Sequence, residues 1–420
     1  MTGLRIAMLT TFYPPYNFGG DALSVQRLAD ALARRRHSVT VVHDIDAYNA
    51  LAAKDDRSAA PSPEGVRVLG LRSVLGPASA VLTHQFGHPV MQRRRLRAVI
   101  ADGAFDVIWF HNISLLGGPG LLALGESLKV CEAHDHWLVC PTHSLWRHNR
   151  ELCTGRQCLR CVLHHRRPPQ LWRYTNALAR QLDHVDAFIA KSEFSRRKHH
   201  EFGFAHPMDV VPNFLPDRPV PAEAPGPAPH HRPYFLFVGR LERLKGLDDV
   251  IPVFARYKDA DLLVVGSGGH DNALRRRAAG IAGVRFVGHV PPDQLYRYYR
   301  DAIALISPSL GFETFGITLI EAFQSKTPVI ARHTDAFPEI IDRCGGGVLF
   351  SKPDELAAMM TRMQQDGRYR DGLATAARAG YENYWSEDVV VEQYLATLRR
   401  AALRAGRPGM AATLEANCAS

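Results

Sequence analysis

The sequence predicts an α/β protein built from two doubly wound parallel sheets that face each other across a cleft. Three observations predict this. The chain has 420 residues, too many for one ordinary core and suited to two. Short apolar runs, each followed by a loop and then a polar or amphipathic stretch, recur before residue 213 and again from residue 234. Between the two series, Leu215 to Pro233 is rich in Pro, Ala and His and has hardly any apolar periodicity, which marks a linker. The expected organisation is an N-terminal domain over 1–213, a linker over 214–233, a second domain over 234–384, a C-terminal helix over 385–404 and a frayed tail over 405–420.

Composition narrows the function classes. Hydrophobic residues are 46% and charged residues 22%, ordinary for a soluble globular protein. The net charge of +9 suits an anionic substrate or an acidic membrane surface. It would also suit nucleic acid, but no basic-aromatic RNA motif and no helix-turn-helix pattern is present, so no nucleic-acid partner is expected. Met1 to Thr10 reads directly as a strand, with no signal peptide, and no apolar run is long enough to span a bilayer. The expected location is cytoplasmic, either free or peripheral at the inner face of a membrane. Seven Cys in such a chain favour thiols or a metal site over disulfides.

In the first half, Leu4–Leu9 reads as a buried strand and runs into Tyr13-Pro14-Pro15-Tyr16-Asn17-Phe18-Gly19-Gly20. A helix follows with Leu23, Leu28, Ala31 and Leu32 on one side, then a strand at Val39–Val42. This is a βαβ opening with glycines at the strand's carboxyl end. Bare backbone at Gly19 and Gly20 lets a phosphate or an acceptor approach, although a Gly pair also serves a plain tight turn. A polar loop covers about 50–63, and Val66–Leu69 is a short strand. Val81 to Ile100 carries Arg93, Arg94, Arg95 and Arg97 among Leu82, Phe86, Val90 and Met91. It reads as a solvated helical face, or else as a basic amphipathic surface for an acidic bilayer or a lipid-linked acceptor. Further strands end in His111-Asn112 and in His134-Asp135-His136-Trp137. A His at a strand's carboxyl end can hydrogen-bond a substrate or serve as a satisfied structural group.

Cys140, Cys153, Cys158 and Cys161 then fall within about twenty residues and end in a C-x-x-C pair. Four thiolates suit a tetrahedral structural Zn²⁺. An iron–sulfur cluster uses the same ligands, and four free thiols are the plain alternative.

In the second half, Tyr234–Val238 restarts a parallel sheet and leads directly to Gly239-Arg240 and Lys245-Gly246. Arg240 offers a planar fork and Lys245 a point charge, both suited to a diphosphate. Strands follow at Asp261–Val265, at Val284–Val287 before Gly288-His289-Val290, and at Ala302–Ser307. The last runs into Gly311-Phe312-Glu313-Thr314-Phe315-Gly316-Ile317. From there a helix leaves, with Ile317, Ile320 and Phe323 at helical spacing. Glu313 is thereby placed in a loop at the carboxyl end of a strand, where open α/β sheets bind ligands. The N–H groups of Phe315, Gly316 and Ile317 open a helix and suit a diphosphate. Carboxylates at Glu313 and Glu321 would repel that diphosphate, so their natural partners are hydroxyls.

Glu313-x7-Glu321, with Phe315-Gly316 inside and Pro328-Val329-Ile330 after it, resembles the donor-site motif of the family-4 retaining glycosyltransferases, which have the two-domain GT-B fold. Gly239-Arg240 with Lys245, the Pro-Pro and Gly-Gly opening, and His134-Asp135 are similar to that family as well. The stretch from Tyr384 resembles a C-terminal helix that crosses back to the first domain. The sequence departs from the family at Phe214, where a Gly is usual, and at Asp335-Ala336-Phe337, where a Gly pair is usual.

The resemblance implies a hexosyltransferase that moves a sugar from a nucleotide-diphosphate donor to a glycan, lipid-linked or small-molecule acceptor, in cell-envelope polysaccharide or glycoconjugate synthesis, without a catalytic cofactor. It implies that Arg240 and Lys245 stabilise the departing diphosphate and that Glu313 holds sugar hydroxyls. Glu321 would hold the ribose, and His134 would hydrogen-bond the sugar. Donor binding would add Gly19, Gly20, Gly239, Phe315, Gly316 and Ile317, with the backbone of Gly288, His289 and Val290 reading the base. A GT-B phosphorylase, a nucleotide-sugar epimerase and a non-catalytic sugar-nucleotide-binding protein are the alternatives.

Overall fold

The computed structural model describes residues 3–52, 65–217 and 228–418. Most of the polar loop near 50–63 and the centre of the linker lie outside the described residues. Two parallel sheets are present. The first has seven strands: β1 (Arg5–Leu9), β2 (Ser38–Asp44), β3 (Val66–Leu71), β4 (Val107–Phe110), β5 (Leu128–Ala133), β8 (Ala187–Ala190) and β9 (Asp209–Val210), in the order β3-β2-β1-β4-β5-β8-β9. The short ribbon β6 (Trp146–Arg147) and β7 (Glu151–Leu152) stands apart from it. The second sheet has six strands: β10 (Tyr234–Val238), β11 (Asp261–Val265), β12 (Val284–Gly288), β13 (Leu305–Ser307), β14 (Val329–Arg332) and β15 (Gly347–Phe350), in the order β12-β11-β10-β13-β14-β15.

These strands read as unbroken apolar runs because helices cover both faces of each sheet. β1, β4, β5 and β8 are almost entirely buried. In the first sheet, side chains divide between a core that includes Ile6, Met8 and Trp109 and another that includes Ala7, Leu9 and Phe110, the alternation a two-residue period demands. Strand order reverses between β1 and β4 in the first sheet and between β10 and β13 in the second. Such reversals open a crevice at the carboxyl ends of the strands. The loop with Gly19 and Gly20 follows β1, His111 follows β4, Gly239 follows β10, and Glu313 follows β13, so both reversals carry residues singled out from the sequence.

The chain passes between the sheets twice at one place. Phe214 is buried in the first core and Leu215 in the second. Leu215 N–H donates to the Trp385 carbonyl at 3.3 Å, where the chain returns. The bulk of Phe214, unexpected where a glycine is usual, is thus absorbed as core. The helix Glu387–Arg404 then lies on the first sheet, burying Val390, Val391, Tyr394, Leu395 and Leu398 beside Ile6, Trp109 and Val130.

The stretch beyond Arg404 differs from the expected frayed tail. Gly406 takes φ 69° and reverses the chain, and a helix Pro408–Cys418 packs back on the preceding one. Ala411 and Leu414 enter the first core with Met410 against it, so apolar residues one helical turn apart inside the tail supply the burial that orders it. The basic segment over 81–100 also divides. Helix Pro77–Phe86 ends at Gly87, in the left-handed region, and helix Arg93–Gly103 follows. From Leu171 to Leu182 the chain forms a tight turn, Leu171–Tyr174, then extended Thr175, then a short helix, Ala177–Leu182.

Candidate functional site

The site is organised around Glu313. β13 ends at Ser307, and the chain turns over the strand end. The N–H groups of Leu310 and Gly311 both donate to the Leu244 carbonyl, at 2.7 and 3.1 Å, locking this loop to the turn Arg243–Lys245. Gly246 makes that approach possible. Its φ is 74°, and a Cβ there would lie 2.1 Å from the Pro308 carbonyl oxygen. As a result Lys245 Nζ donates to Glu313 Oε1 at 2.5 Å, and Ser309 Oγ donates to the same oxygen at 2.7 Å. Burial pushes the Glu313 carboxyl up, but the Lys245 ammonium, the Ser309 hydroxyl and the more distant Arg240 charge outweigh it. The net position is below the usual carboxylate range. Arg240 itself is mostly exposed and pairs with Glu242 at 2.9 Å.

The helix Ile317–Gln324 begins at Gly316, whose φ is 107° and whose added Cβ would lie 2.7 Å from the Phe337 ring. No side chain caps this helix. Across the cleft stands the first domain's opening loop. A Cβ on Gly20 would come 3.7 Å from Ile317 Cγ2, so Gly20 faces the helix start directly. Gly19 takes φ 77° with open space around it, so its requirement is conformational rather than steric.

Glu321 accepts from Tyr299 Oη at 2.7 Å and stands 3.9 Å from Arg27 Nη2 of the first domain. Sequence reasoning missed both partners. Arg27 was legible only as a polar-face residue of the helix after Gly20, and Tyr299 as one of several tyrosines preceding β13. Three more contacts join the two halves. Ser192 Oγ donates to the Thr314 carbonyl at 2.6 Å, and Thr314 Oγ1 donates to the His134 carbonyl at 2.9 Å. The Glu339 carboxylate accepts from the N–H groups of Glu193 and Phe194, at 3.0 and 3.1 Å.

His134 lies at the cleft edge of β5, but its side chain is buried and Nε2 turns inward. That nitrogen is 3.0 Å from His111 Nδ1 and 3.6 Å from Glu132 Oε1. Glu132 in turn pairs with buried Lys191 and accepts from Tyr394 Oη at 2.9 Å. Gly288, His289 and Val290 sit at the end of β12, the outer strand of the second sheet. His289 is exposed there, and Val290 is buried in the core that holds Phe315. None of the three has a described contact with Glu313 or Glu321.

Asp335 carries the sequence's departure from Gly-Gly in a left-handed conformation, φ 65°. Burial, and then the Glu313 carboxylate beside it, push its carboxyl up to about 8. Two carboxyls in one crevice are thus held in opposite protonation states at neutral pH, Glu313 ionised and Asp335 protonated.

The cysteines come near one another without converging. Cys153 follows β7, and Cys158 and Cys161 lie one turn apart on the helix Cys158–His164. Burial, and then the charge of Cys140, push the thiols of Cys158 and Cys161 upward. Each of three sulfurs has taken a local partner: Cys140 pairs with Thr142 Oγ1, Cys153 with the Gly155 carbonyl and Cys161 with the His148 N–H. Among the described residues, the three ligand atoms that gather within 4.8 Å of one another belong instead to His111, Glu132 and His134. The expected ring of four sulfurs around one point is therefore not formed as placed.

Comparison with known proteins agrees with this architecture. The family model "Glycosyltransferase Family 4" matches residues 18–218, and "Glycosyl transferases group 1" matches residues 222–380. A phosphatidyl-myo-inositol mannosyltransferase of Mycolicibacterium smegmatis is 28% identical over 399 residues, 91% of each chain. An uncharacterized glycosyltransferase of Methanocaldococcus jannaschii is 30% identical over 411 residues, 93% of this chain and 96% of the other. Among solved structures, sucrose-phosphate synthase from Thermosynechococcus elongatus superposes with a TM-score of 0.71 at 18% identity, over 95% of this chain and 99% of that one. Two parallel-sheet domains meeting at paired strand-order reversals, with matches along nearly the whole length, lead to one conclusion: the chain belongs to the glycosyl transferases group 1 family and is a glycosyltransferase of the GT-B fold.

Proposed function

We propose that this glycosyltransferase takes a hexose from a nucleoside-diphosphate donor and passes it, with retained anomeric configuration, to a lipid-linked acceptor at an acidic membrane surface. The observation that carries the donor half is the Lys245–Glu313 pair at the carboxyl end of β13, next to an uncapped helix start that faces Gly20. A diphosphate at the start of this helix, beside Gly20, would meet the helix's first N–H groups, with Lys245 and Arg240 at its side. These groups stabilise the charge that develops as the bond from the anomeric carbon to the phosphate oxygen breaks. The acceptor oxygen forms the new bond on the same face, and its proton passes to the departing phosphate. Glu313, kept ionised, accepts from sugar hydroxyls, and Glu321 accepts from the ribose.

The membrane half rests on one face of the first domain. Phe86, Met91, Leu171 and Tyr174 are exposed there, beside exposed Arg93, Arg94, Arg95 and Arg97. Trp172 Nε1 donates to the His84 carbonyl at 3.1 Å, tying the two apolar stretches into one surface. Apolar anchors among arginines suit an anionic lipid interface. The cysteine-rich insertion adjoins this face. Its thiol set suits a structural zinc if the side chains turn to a common point, and no step of the transfer runs through it.

A thermal-shift panel of UDP, GDP, ADP and dTDP sugars tests the donor half, followed by turnover with the stabilising donor and proton NMR of the product anomer. Stabilisation by none of them, or an inverted product, would overturn it. Sedimentation with phosphatidylglycerol-containing vesicles against pure phosphatidylcholine tests the membrane half. Equal binding to both, or to neither, would overturn that part alone.

A further inference from the structure

Beneath the cleft floor lies a charged cluster that the transfer chemistry does not use. It joins the ends of β4, β5 and β8 to the helix that crosses from the second domain. Lys191, after β8, is fully buried and bonded to Glu132 Oε1. Tyr394 Oη, from the crossing helix, donates to that same oxygen at 2.9 Å. Oε1 is therefore supplied with two donors. Glu132 Oε2 is buried and has no hydrogen-bond partner among the described residues, and it faces His111 Nδ1 at 3.5 Å. Trp109 packs between His111 and Tyr394, with ring centroids 5.8 and 5.4 Å away, and holds both rings in place.

The set His111, Glu132 and His134 has the closeness of a cation site, but the Lys191 ammonium already neutralises the carboxylate. A second cation there would be repelled. The cluster's effect falls instead on protons. His111 Nδ1 and His134 Nε2 lie 3.0 Å apart, and since burial keeps both rings neutral, one nitrogen donates and the other accepts. Were His134 Nε2 the donor, His111 would carry its proton on Nε2, which is buried without a partner, and a stranded N–H is costly. Were His111 Nδ1 the donor, its proton would also lie toward the unsaturated Oε2 of Glu132. The second arrangement strands no proton and gives the carboxylate its missing interaction.

We propose that Glu132, clamped by Lys191 and Tyr394, holds a proton on His111 Nδ1 and thereby makes His134 the Nδ1–H tautomer, a hydrogen-bond donor at the cleft rather than an acceptor. Glu132, His111, Lys191 and Tyr394 are positioning residues that act through His134. The functional consequence rests on the reading of His134 as a sugar contact. A donor there would meet a sugar oxygen and would not compete with the acceptor carboxylate of Glu313. It also places the crossing helix, through Tyr394, in control of a side chain in the first domain.

The test is a long-range ¹H–¹⁵N correlation of the full chain with ring-labelled histidine, His134 being assigned by its loss in His134→Gln. The parent protein is expected to show His134 neutral with the proton on Nδ1, and Tyr394→Phe to shift it toward the Nε2–H form. His134 found as Nε2–H or as a cation in the parent would overturn the inference. An unchanged tautomer in Tyr394→Phe would overturn the clamp. Lys191→Met, where it folds, repeats the second arm. The spectrum is recorded without donor or acceptor, so a protein inactive with every donor tested but with Nδ1–H His134 would overturn the proposed donor chemistry and leave this inference standing.

Discussion

Lys245 Nζ and Glu313 Oε1 are 2.5 Å apart, although the two residues lie on different loops and are 68 positions apart in the chain. The cation therefore serves two partners. It keeps the Glu313 carboxylate ionised, and in the proposed reaction it also meets the diphosphate. Lys245→Ala removes both effects. Turnover is expected to fall by about two or more orders of magnitude, the scale of losing one charge-stabilising donor, while the thermal transition stays cooperative. Near-normal turnover in steady-state assays of a folded variant would remove Lys245 from the mechanism.

Glu313 and Glu321 have different neighbours and should fail differently. Glu321 is oriented by Tyr299 and faces Arg27, and Glu321→Gln loses the charge that would strengthen the proposed bonds to ribose hydroxyls. Charge-assisted hydrogen bonds are worth about 1.5–3 kcal/mol, so the free nucleoside diphosphate should bind about ten- to a hundredfold more weakly. Glu313→Gln should leave that affinity nearly unchanged and lose turnover with the intact donor instead. Calorimetry with the nucleoside diphosphate alone decides between them, and equal weakening in both variants would contradict the assigned positions.

Asp335 yields a stability prediction with a definite sign. Its carboxyl is raised from an ordinary value of 3.8 to about 8, so between those pH values the folded protein holds a proton that the unfolded chain has released. Stability therefore falls as pH rises through that window. Asp335→Asn removes the titration and tolerates the left-handed backbone. Its stability relative to the parent should grow from about pH 4 to about pH 8, by up to about 1.4 kcal/mol per pH unit, and then level off. Denaturant melts across that range measure it. A difference that shrinks with rising pH would show that Asp335 is ionised in the fold.

The cysteine insertion separates structure from chemistry. If the four thiols close on zinc, purified protein carries about one zinc per chain, and Cys158→Ser lowers the melting temperature more than it changes donor affinity. Plasma emission analysis showing neither zinc nor iron, with four thiols titrating freely, would leave the ribbon β6–β7 held by packing alone.

Much of this protein was legible in its sequence because the relevant physics is local. Apolar runs such as Leu4–Leu9 and Tyr234–Val238 bury on both faces whatever surrounds them. The glycines after β1 and β10, and the helix start at Gly316, follow from backbone conformation within a few residues. Local order was therefore enough to place Gly20, Lys245 and Glu313 beyond the carboxyl ends of strands and Glu321 on the helix that follows Glu313.

What only the tertiary structure decided is which of these groups meet. Lys245 reaches Glu313, and Arg27 reaches Glu321 across the cleft. His134 turns its Nε2 away from the cleft because Glu132, two residues earlier in β5, and His111, from the neighbouring strand end, lie beneath it. The sulfurs of Cys140, Cys153 and Cys161 each found a partner outside the cysteine set, and the final helix docks because Ala411 and Leu414 reach a core built by residues hundreds of positions earlier. A sequence pattern reports which face of an element is apolar. It carries no distance between elements, and hydrogen bonding and charge pairing depend on distances of a few ångströms.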